Sequence, residues 1–181
     1  LLATQTEKIY RHSRKSFYYV YDRVDSTLYP VSNLGKQQLA YFSPDGMKVA
    51  FVRTNNIFVL DLSERKEIQI TYDGERNKII NGAPDWVYEE EFACRDGFRW
   101  SNDGEHIVYW HSDTEGTGTF YLINNLDSIY SQPLPFPYPK VGTTNSAVKI
   151  GVVAARGGGA WRSRGMSASL REASPLMTCD Q

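Results

Sequence analysis

The sequence predicts an all-β fold, a partial β-propeller of roughly three blades of four-stranded antiparallel sheet with a short helical insertion. Two observations carry that prediction. Phe42-Ser43-Pro44-Asp45-Gly46-Met47-Lys48-Val49-Ala50-Phe51 recurs as Trp100-Ser101-Asn102-Asp103-Gly104-Glu105-His106-Ile107-Val108-Tyr109, an aromatic-Ser-x-Asp-Gly turn feeding an apolar strand. Similar strand ends also recur, at Tyr18-Tyr19-Val20-Tyr21-Asp22, Ile57-Phe58-Val59-Leu60-Asp61 and Phe120-Tyr121-Leu122-Ile123-Asn124. Repeated four-stranded sheets cannot bury their own faces and stack radially as blades. A single β-sandwich is the structural alternative.

Each Asp-Gly supplies the positive φ of a tight turn, and the β-branched and aromatic residues after it suit a pleated, buried surface. Each copy of the repeat is therefore a hairpin, followed by one of the apolar strand ends. From Val20 to Val59 the step is 39 residues, close to the period of about 40 to 50 expected of a blade. From Val59 to Leu122 it is 63. The excess of roughly twenty residues is placed between Thr71 and Gly97, and an insertion on a regular scaffold is where function tends to sit.

Within that insertion, Asp85 follows Pro84 and can serve as an N-cap, and Trp86 to Phe92 contains no Gly or Pro, so a two-turn helix is predicted there. Consecutive Glu89, Glu90 and Glu91 fan out by about 100° each, so at most two can converge on one ligand. A solvated acidic helix face is one reading. The other is a cation site, because Trp86 and Tyr88 would anchor the segment in apolar surroundings that limit solvent around the carboxylates. An ammonium group suits it, with donors for charge-assisted bonds to carboxylate oxygens. A hard metal ion would want further ligands that this stretch does not supply.

Beyond the second hairpin, Pro133, Pro135, Pro137 and Pro139 stand at alternate positions. They exclude a helix or central strand and predict extended, polyproline-like chain in a loop over the blade. From Arg156-Gly157-Gly158-Gly159 onward the apolar alternation stops, giving a domain over residues 1–155 and an aberrant or disordered tail over 156–181. A net charge of −1 provides no field to recruit nucleic acid or an anionic membrane. Cys94 and Cys179 form no metal-ligand pattern with His12, His106 and His111. No cofactor and no metal are expected, and Cys94 reads as a free, half-buried thiol. The first residue is Leu1, so the natural start is expected to be missing.

Asp85-Trp86-Val87-Tyr88-Glu89-Glu90-Glu91 resembles the signature segment of the dipeptidyl peptidase IV family. The resemblance extends through Asn81-Gly82, Trp100-Ser101, Pro137-Tyr138-Pro139-Lys140-Val141-Gly142 and Asn145-Ser146-Ala147-Val148-Lys149, with Cys94-Arg95-Asp96-Gly97-Phe98-Arg99-Trp100 similar to bacterial members. It implies an eight-bladed N-terminal propeller capping an α/β-hydrolase domain. Glu90 and Glu91 would bind the α-ammonium group of a peptide with a free N-terminus. Arg11, in Tyr10-Arg11-His12-Ser13, would help hold the substrate carbonyl, a surface arginine being the plainer reading.

The activity so implied is release of Xaa-Pro and Xaa-Ala dipeptides by the full-length serine exopeptidase. Implied partners are peptide substrates, the hydrolase domain of the same polypeptide and a second copy in a homodimer; the implied location is periplasmic, secreted or membrane-anchored. No G-x-S-x-G elbow occurs in this sequence, so catalysis is expected elsewhere in the polypeptide. A non-enzymatic propeller for protein interaction is the rival reading. Where the family continues with a Trp and then a Val-Pro-Gly-Asp-x-Arg stretch, this chain has Trp161-Arg162-Ser163-Arg164, which points to a frameshift or degraded reading frame after about Gly159.

Overall fold

The computed structural model describes residues 1–158 and 162–165. Strands β1 (Leu2–Lys8), β2 (Arg14–Tyr21) and β3 (Leu28–Pro30) form a three-stranded antiparallel sheet. An uninterrupted four-stranded sheet follows, in the order β4 (Gln38–Phe42), β5 (Lys48–Arg53), β6 (Asn56–Asp61), β7 (Lys66–Gln69). The next sheet begins with β8 (Ile79–Asn81), is interrupted by helix α1 (Trp86–Glu90), and resumes with β9 (Phe98–Trp100) and β10 (His106–Asp113). Strands β11 (Thr119–Asn124) and β12 (Gln132–Pro137) then form a separate hairpin before β13 (Ala147–Ala154) and β14 (Arg162–Gly165) rejoin β10 in the order β14-β13-β10-β8. The all-β partial propeller predicted from sequence is borne out.

The sheets stack because the middle one is apolar on both faces. Ala50, Val52, Ile57, Val59 and Ile70 pack with Ala83, Phe98, Ile107, Tyr109 and Val153 of the following sheet. On the opposite face, Val49, Phe51, Phe58 and Leu60, with Ala40 of β4, pack with Val20 and Val31, on or beside the first sheet. Period-two alternation thus divides the near-continuous apolar runs of β5 and β6 between two cores, each residue facing one neighbour.

Both Asp-Gly turns close in the same way. Gly46 and Gly104 have φ of +72° and +68° and donate their N–H to Ser43 and Ser101 carbonyls, each at 2.9 Å. Ser43 and Ser101 hydroxyls donate to Asp45 and Asp103 at 2.5 Å and accept from the N–H of Lys48 and His106 at 2.9 Å. These side-chain bonds replace ladder bonds in the turn, which accounts for the Ser and Asp as well as the Gly.

Two sequence expectations are corrected. Phe120–Asn124 is not the third strand of the blade after the second turn. That place is taken by β13, whose eight residues Ala147–Ala154 pair with all of β10, while β11 pairs only with β12. The alternating-proline segment is a strand of that hairpin rather than a loop. Its non-proline residues Gln132, Leu134 and Phe136 can donate to β11, leaving the prolines facing away, which an edge strand tolerates. Within the segment 156–181 expected to be an aberrant tail, Arg162–Gly165 pair with β13; residues 159–161 and 166–181 lie outside those described.

Candidate functional site

The excess residues between the two hairpins leave the sheet through a narrow neck. Strand β10 pairs with β8 at His111–Asp113 and with β9 at Ile107–Tyr109. Between them Trp110 donates to the Gly97 carbonyl at 2.8 Å and accepts the Gly82 N–H at 2.9 Å. Everything from Gly82 to Gly97 is thus looped out opposite one residue. Gly82 needs its positive φ of +74°, and a Cβ on Gly97 would stand 2.7 Å from Ala83 N and the Gly82 carbonyl carbon. Glycine is required at the neck because two backbones touch there.

Helix α1 starts where the sequence places it. Asp85 is extended (φ −78°, ψ −179°) and its carboxylate accepts the Tyr88 N–H at 2.9 Å, the N-cap bond. Its second oxygen accepts the Ser146 hydroxyl, tying the helix start to the residues entering β13. The helix is shorter than the predicted two turns: it ends at Glu90, with Glu91 as C-cap. Ala93, at φ +56°, turns the chain back so that the Cys94 N–H closes on the Tyr88 carbonyl at 3.0 Å. Cys94 is buried rather than half-buried, and Cys179 lies outside the described residues.

Each side chain of the helix has a distinct destination. Trp86 packs on Tyr138 and Phe136 of the hairpin, with ring centroids 4.5 and 6.1 Å away, and Tyr88 packs on Trp110 at 5.4 Å. Val87 is buried. Glu89 is 1% exposed and faces the β1–β2 connection, where its Oε1 accepts the N–H of His12 at 2.8 Å and of Ser13 at 2.9 Å. Glu90 meets the same connection one residue earlier: its Oε1 accepts the Arg11 N–H at 3.2 Å, and its Oε2 lies 3.3 Å from Arg11 Nε. Glu91 is exposed and its carboxylate has no hydrogen bond or ion pair among the described residues.

Of the residues nominated from sequence, Arg11 and Glu90 are therefore in direct contact, from positions far apart in the chain, while Glu91 follows Glu90 as the exposed C-cap of the helix and contacts neither side chain. Arg11 keeps 77% of its side chain exposed while Glu90 keeps 9%. The arrangement is a carboxylate already neutralised on one side by a guanidinium, an arginine fork open to solvent, and an exposed carboxylate on the next residue of the chain. It can take a small cation at the carboxylates and a carbonyl oxygen at the arginine.

Beside the site a cavity of about 1150 Å³ is lined by Tyr10, Arg11, Asp85, Trp86, Arg95 and Phe136, among others. It includes Arg11 but neither Glu90 nor Glu91, so the acidic group stands at its margin. Burial, with the negative charges of Asp85 and Glu89, pushes the Tyr10 hydroxyl up to about 12. Among the described residues no group of three or more His, Cys, Asp or Glu side chains is arranged to hold a metal ion.

Two features were not read from the sequence. His111, buried at 7% exposure, pairs through Nε2 with Asp73 at 3.0 Å, a partner in the connection between β7 and β8 that no local pattern indicates. The other is the separate duty of Glu89. The fan of three glutamates implies that one faces elsewhere, but the phase of the helix decides which.

A family model described as the dipeptidyl peptidase IV N-terminal region matches residues 1–177. The chain is 36% identical over 155 residues to a prolyl endopeptidase FAP from Bos taurus, an alignment covering 84% of this chain and 20% of that protein. It is 32% identical to dipeptidyl aminopeptidase B from Saccharomyces cerevisiae, covering 98% of this chain and 22% of the relative. The crystal structure of Porphyromonas gingivalis dipeptidyl peptidase 4 superposes with a TM-score of 0.86 at 36% identity, covering 92% of this chain and 24% of that one. The chain thus spans about a fifth of the length of the curated relatives it matches.

Proposed function

The chain belongs to the dipeptidyl peptidase IV N-terminal-region family, and from that premise we propose that it forms the part of a serine exopeptidase that holds a peptide by its free N-terminus. The observation that carries the proposal is the contact of Arg11 with the mostly buried Glu90 beside the unpaired, exposed Glu91. A peptide's α-ammonium has three donors and one positive charge. Glu91 offers a carboxylate with no competing partner, and Glu90 adds a second whose burial keeps water from screening it. Arg11, fixed at Nε by Glu90, has its terminal nitrogens left to donate to the carbonyl of the residue that carries the ammonium.

The arrangement works as a ruler. A charge-assisted anchor at one end of the substrate fixes how many residues reach a nucleophile at a set distance, so a catalytic domain joined to this propeller would release dipeptides and leave internal bonds alone. Names of relatives that refer to prolyl endopeptidase and dipeptidyl peptidase activities support a peptide substrate. The nucleophile belongs to the hydrolase domain of the same polypeptide, since the 181 residues of this chain contain no G-x-S-x-G elbow.

The test is kinetic, on the full-length enzyme with a Gly-Pro-amide substrate. Glu90→Gln and Glu91→Gln, each nearly isosteric, are expected to lower kcat/KM by about 100-fold or more, the scale of losing one member of a desolvated charge pair. N-acetylation of the substrate should produce a comparable loss with the unaltered enzyme. Retention of full cleavage by both variants would overturn the ammonium reading and leave a propeller used for protein interaction.

A further inference from the structure

We infer that Glu89 is a positioning residue: it makes no contact with substrate and sets the place of Arg11 by clipping the backbone of the β1–β2 connection to helix α1. This inference rests on the proposed ammonium site and adds a separate role for the third glutamate of the run. The N–H groups of Arg11, His12 and Ser13 are consecutive along the chain, and all are taken by carboxylates from one helix: Arg11 by Glu90, and His12 and Ser13 by the same Oε1 of Glu89. Two backbone donors converging on one carboxylate oxygen form a small anion nest, which holds a loop more firmly than side-chain contacts would.

At its start the loop is also held by Tyr10, whose ring packs on Phe136 with centroids 6.3 Å apart, but Arg11, His12 and Ser13 rely on the carboxylates and on bonds within the loop. Ser13 closes it internally, accepting the Tyr10 N–H at its hydroxyl, 3.1 Å away, and the Ile9 N–H at its carbonyl, 2.9 Å away. The Arg11 side chain projects into solvent with only Glu90 for company. Moving the loop therefore moves the guanidinium and simultaneously withdraws the Arg11 N–H from Glu90.

The other oxygen of Glu89 is also informative. Oε2 is buried with no hydrogen-bond partner, beside a cavity of about 200 Å³ lined by His12, Ser13, Tyr41 and Arg95. A glutamate used for its charge would have both oxygens engaged. Here the working feature is one acceptor atom at one position. Geometry, more than charge, is what the residue supplies, and that separates Glu89 from Glu90 and Glu91.

The distinction is tested in the full-length enzyme by comparing Glu89→Gln, which keeps Oε1, with Glu89→Asp, which keeps the charge but draws the acceptor back by one methylene. Kinetics with Gly-Pro-amide are expected to show Glu89→Gln within about threefold of the unaltered enzyme, while Glu89→Asp and Glu89→Ala lose roughly 10- to 100-fold in kcat/KM, chiefly through KM, as misplacement by an ångström or so would cause. The double variant Arg11→Ala/Glu89→Ala should be no worse than the poorer single variant, because both remove the same function.

Should Glu89→Ala fail to fold, the Gln and Asp pair still decides the matter. Glu89→Asp outperforming Glu89→Gln, additive losses in the double variant, or an unchanged KM throughout would each overturn the inference. Glu90→Gln serves as the separate control. If it is fully active, the ammonium reading falls; if it is inactive while every Glu89 variant behaves normally, only the positioning role falls.

Discussion

The sheet β4 to β7 and the sheet that follows it begin from the same sequence and end as different objects. Their Ser-x-Asp-Gly turns superimpose bond for bond, and Phe42, Tyr41 and Val49 of one correspond to Trp100, Arg99 and Ile107 of the other. They diverge one step further on. In the first sheet the β4–β5 ladder slips between Gln38 and Tyr41, a bulge in which Leu39 takes φ +56°. At the matching place in the second, the chain leaves altogether at Gly82 and returns at Gly97 with helix α1 in between. A bulge has already broken the ladder, so a long insertion there costs no further pairing. The first sheet is buried on two faces and forms the scaffold. The second keeps the scaffold and adds the looped-out segment that carries helix α1 at the place where the ladder is already weakest.

If that division is real, scaffold and insertion should respond to different damage. The largest effect is expected in the regular sheet, from Phe51→Ala. Its ring is fully buried and stacks on Phe58 with centroids 5.6 Å apart, so truncation should remove about 3–5 kcal/mol of stability by denaturant titration. KM of the folded fraction should stay the same. A change in KM would show that the two regions are not separable.

Gly97→Ala probes the junction and should affect both properties. Its new Cβ would meet backbone on the opposite side of the neck. A loss of about 2–3 kcal/mol is expected, together with a raised KM because the base of α1 must shift. A stable variant with normal KM would mean that the neck does not set the helix position.

The smallest effect belongs to the features the two sheets share. The Ser43 and Ser101 hydroxyls, followed by backbone N–H donors, hold the exposed carboxyls of Asp45 and Asp103 below the ordinary aspartate range. A lowered folded-state value means that their stabilisation is present above the unfolded value and is lost as pH falls through the folded one. Acid titration of stability should therefore lose these contributions below the ordinary aspartate value of 3.8, and Asp45→Asn and Asp103→Asn should each flatten that limb slightly and equally. Unequal flattening would show that the second turn has acquired a duty the first lacks.

Much of this was legible from local sequence because it depends on local chemistry. The Ser-x-Asp-Gly turns, the Asp85 cap, the presence of an insertion and the acidic segment within it are all set by residues within a few positions of one another. What was missed depends on partners. Phe120–Asn124 has the same aromatic and β-branched character as a blade strand, and nothing in its composition says that it pairs with β12 while Ala147–Ala154 takes the place beside β10. The helix ended early because Ala93 occupies the left-handed region, which a non-glycine residue does not advertise. Arg11 and Glu90 were nominated through resemblance. Their contact across the chain, and the capture of two neighbouring amides by Glu89, emerge only once the β1–β2 connection folds against α1.

The alternating prolines of β12 set a limit on growth. Along its outer side Pro133, Pro135 and Pro137 present carbonyls but no N–H, and one of those carbonyls, on Pro135, already accepts from the Asn77 side chain at 3.2 Å. A strand arriving at that margin would find acceptors without donors, so the ladder could not continue there. The hairpin can therefore expose Leu122, Ile123, Ile129 and Tyr130 without templating a fibre from this edge. Whatever it meets must be met by side chains, in contacts that saturate instead of propagating from chain to chain.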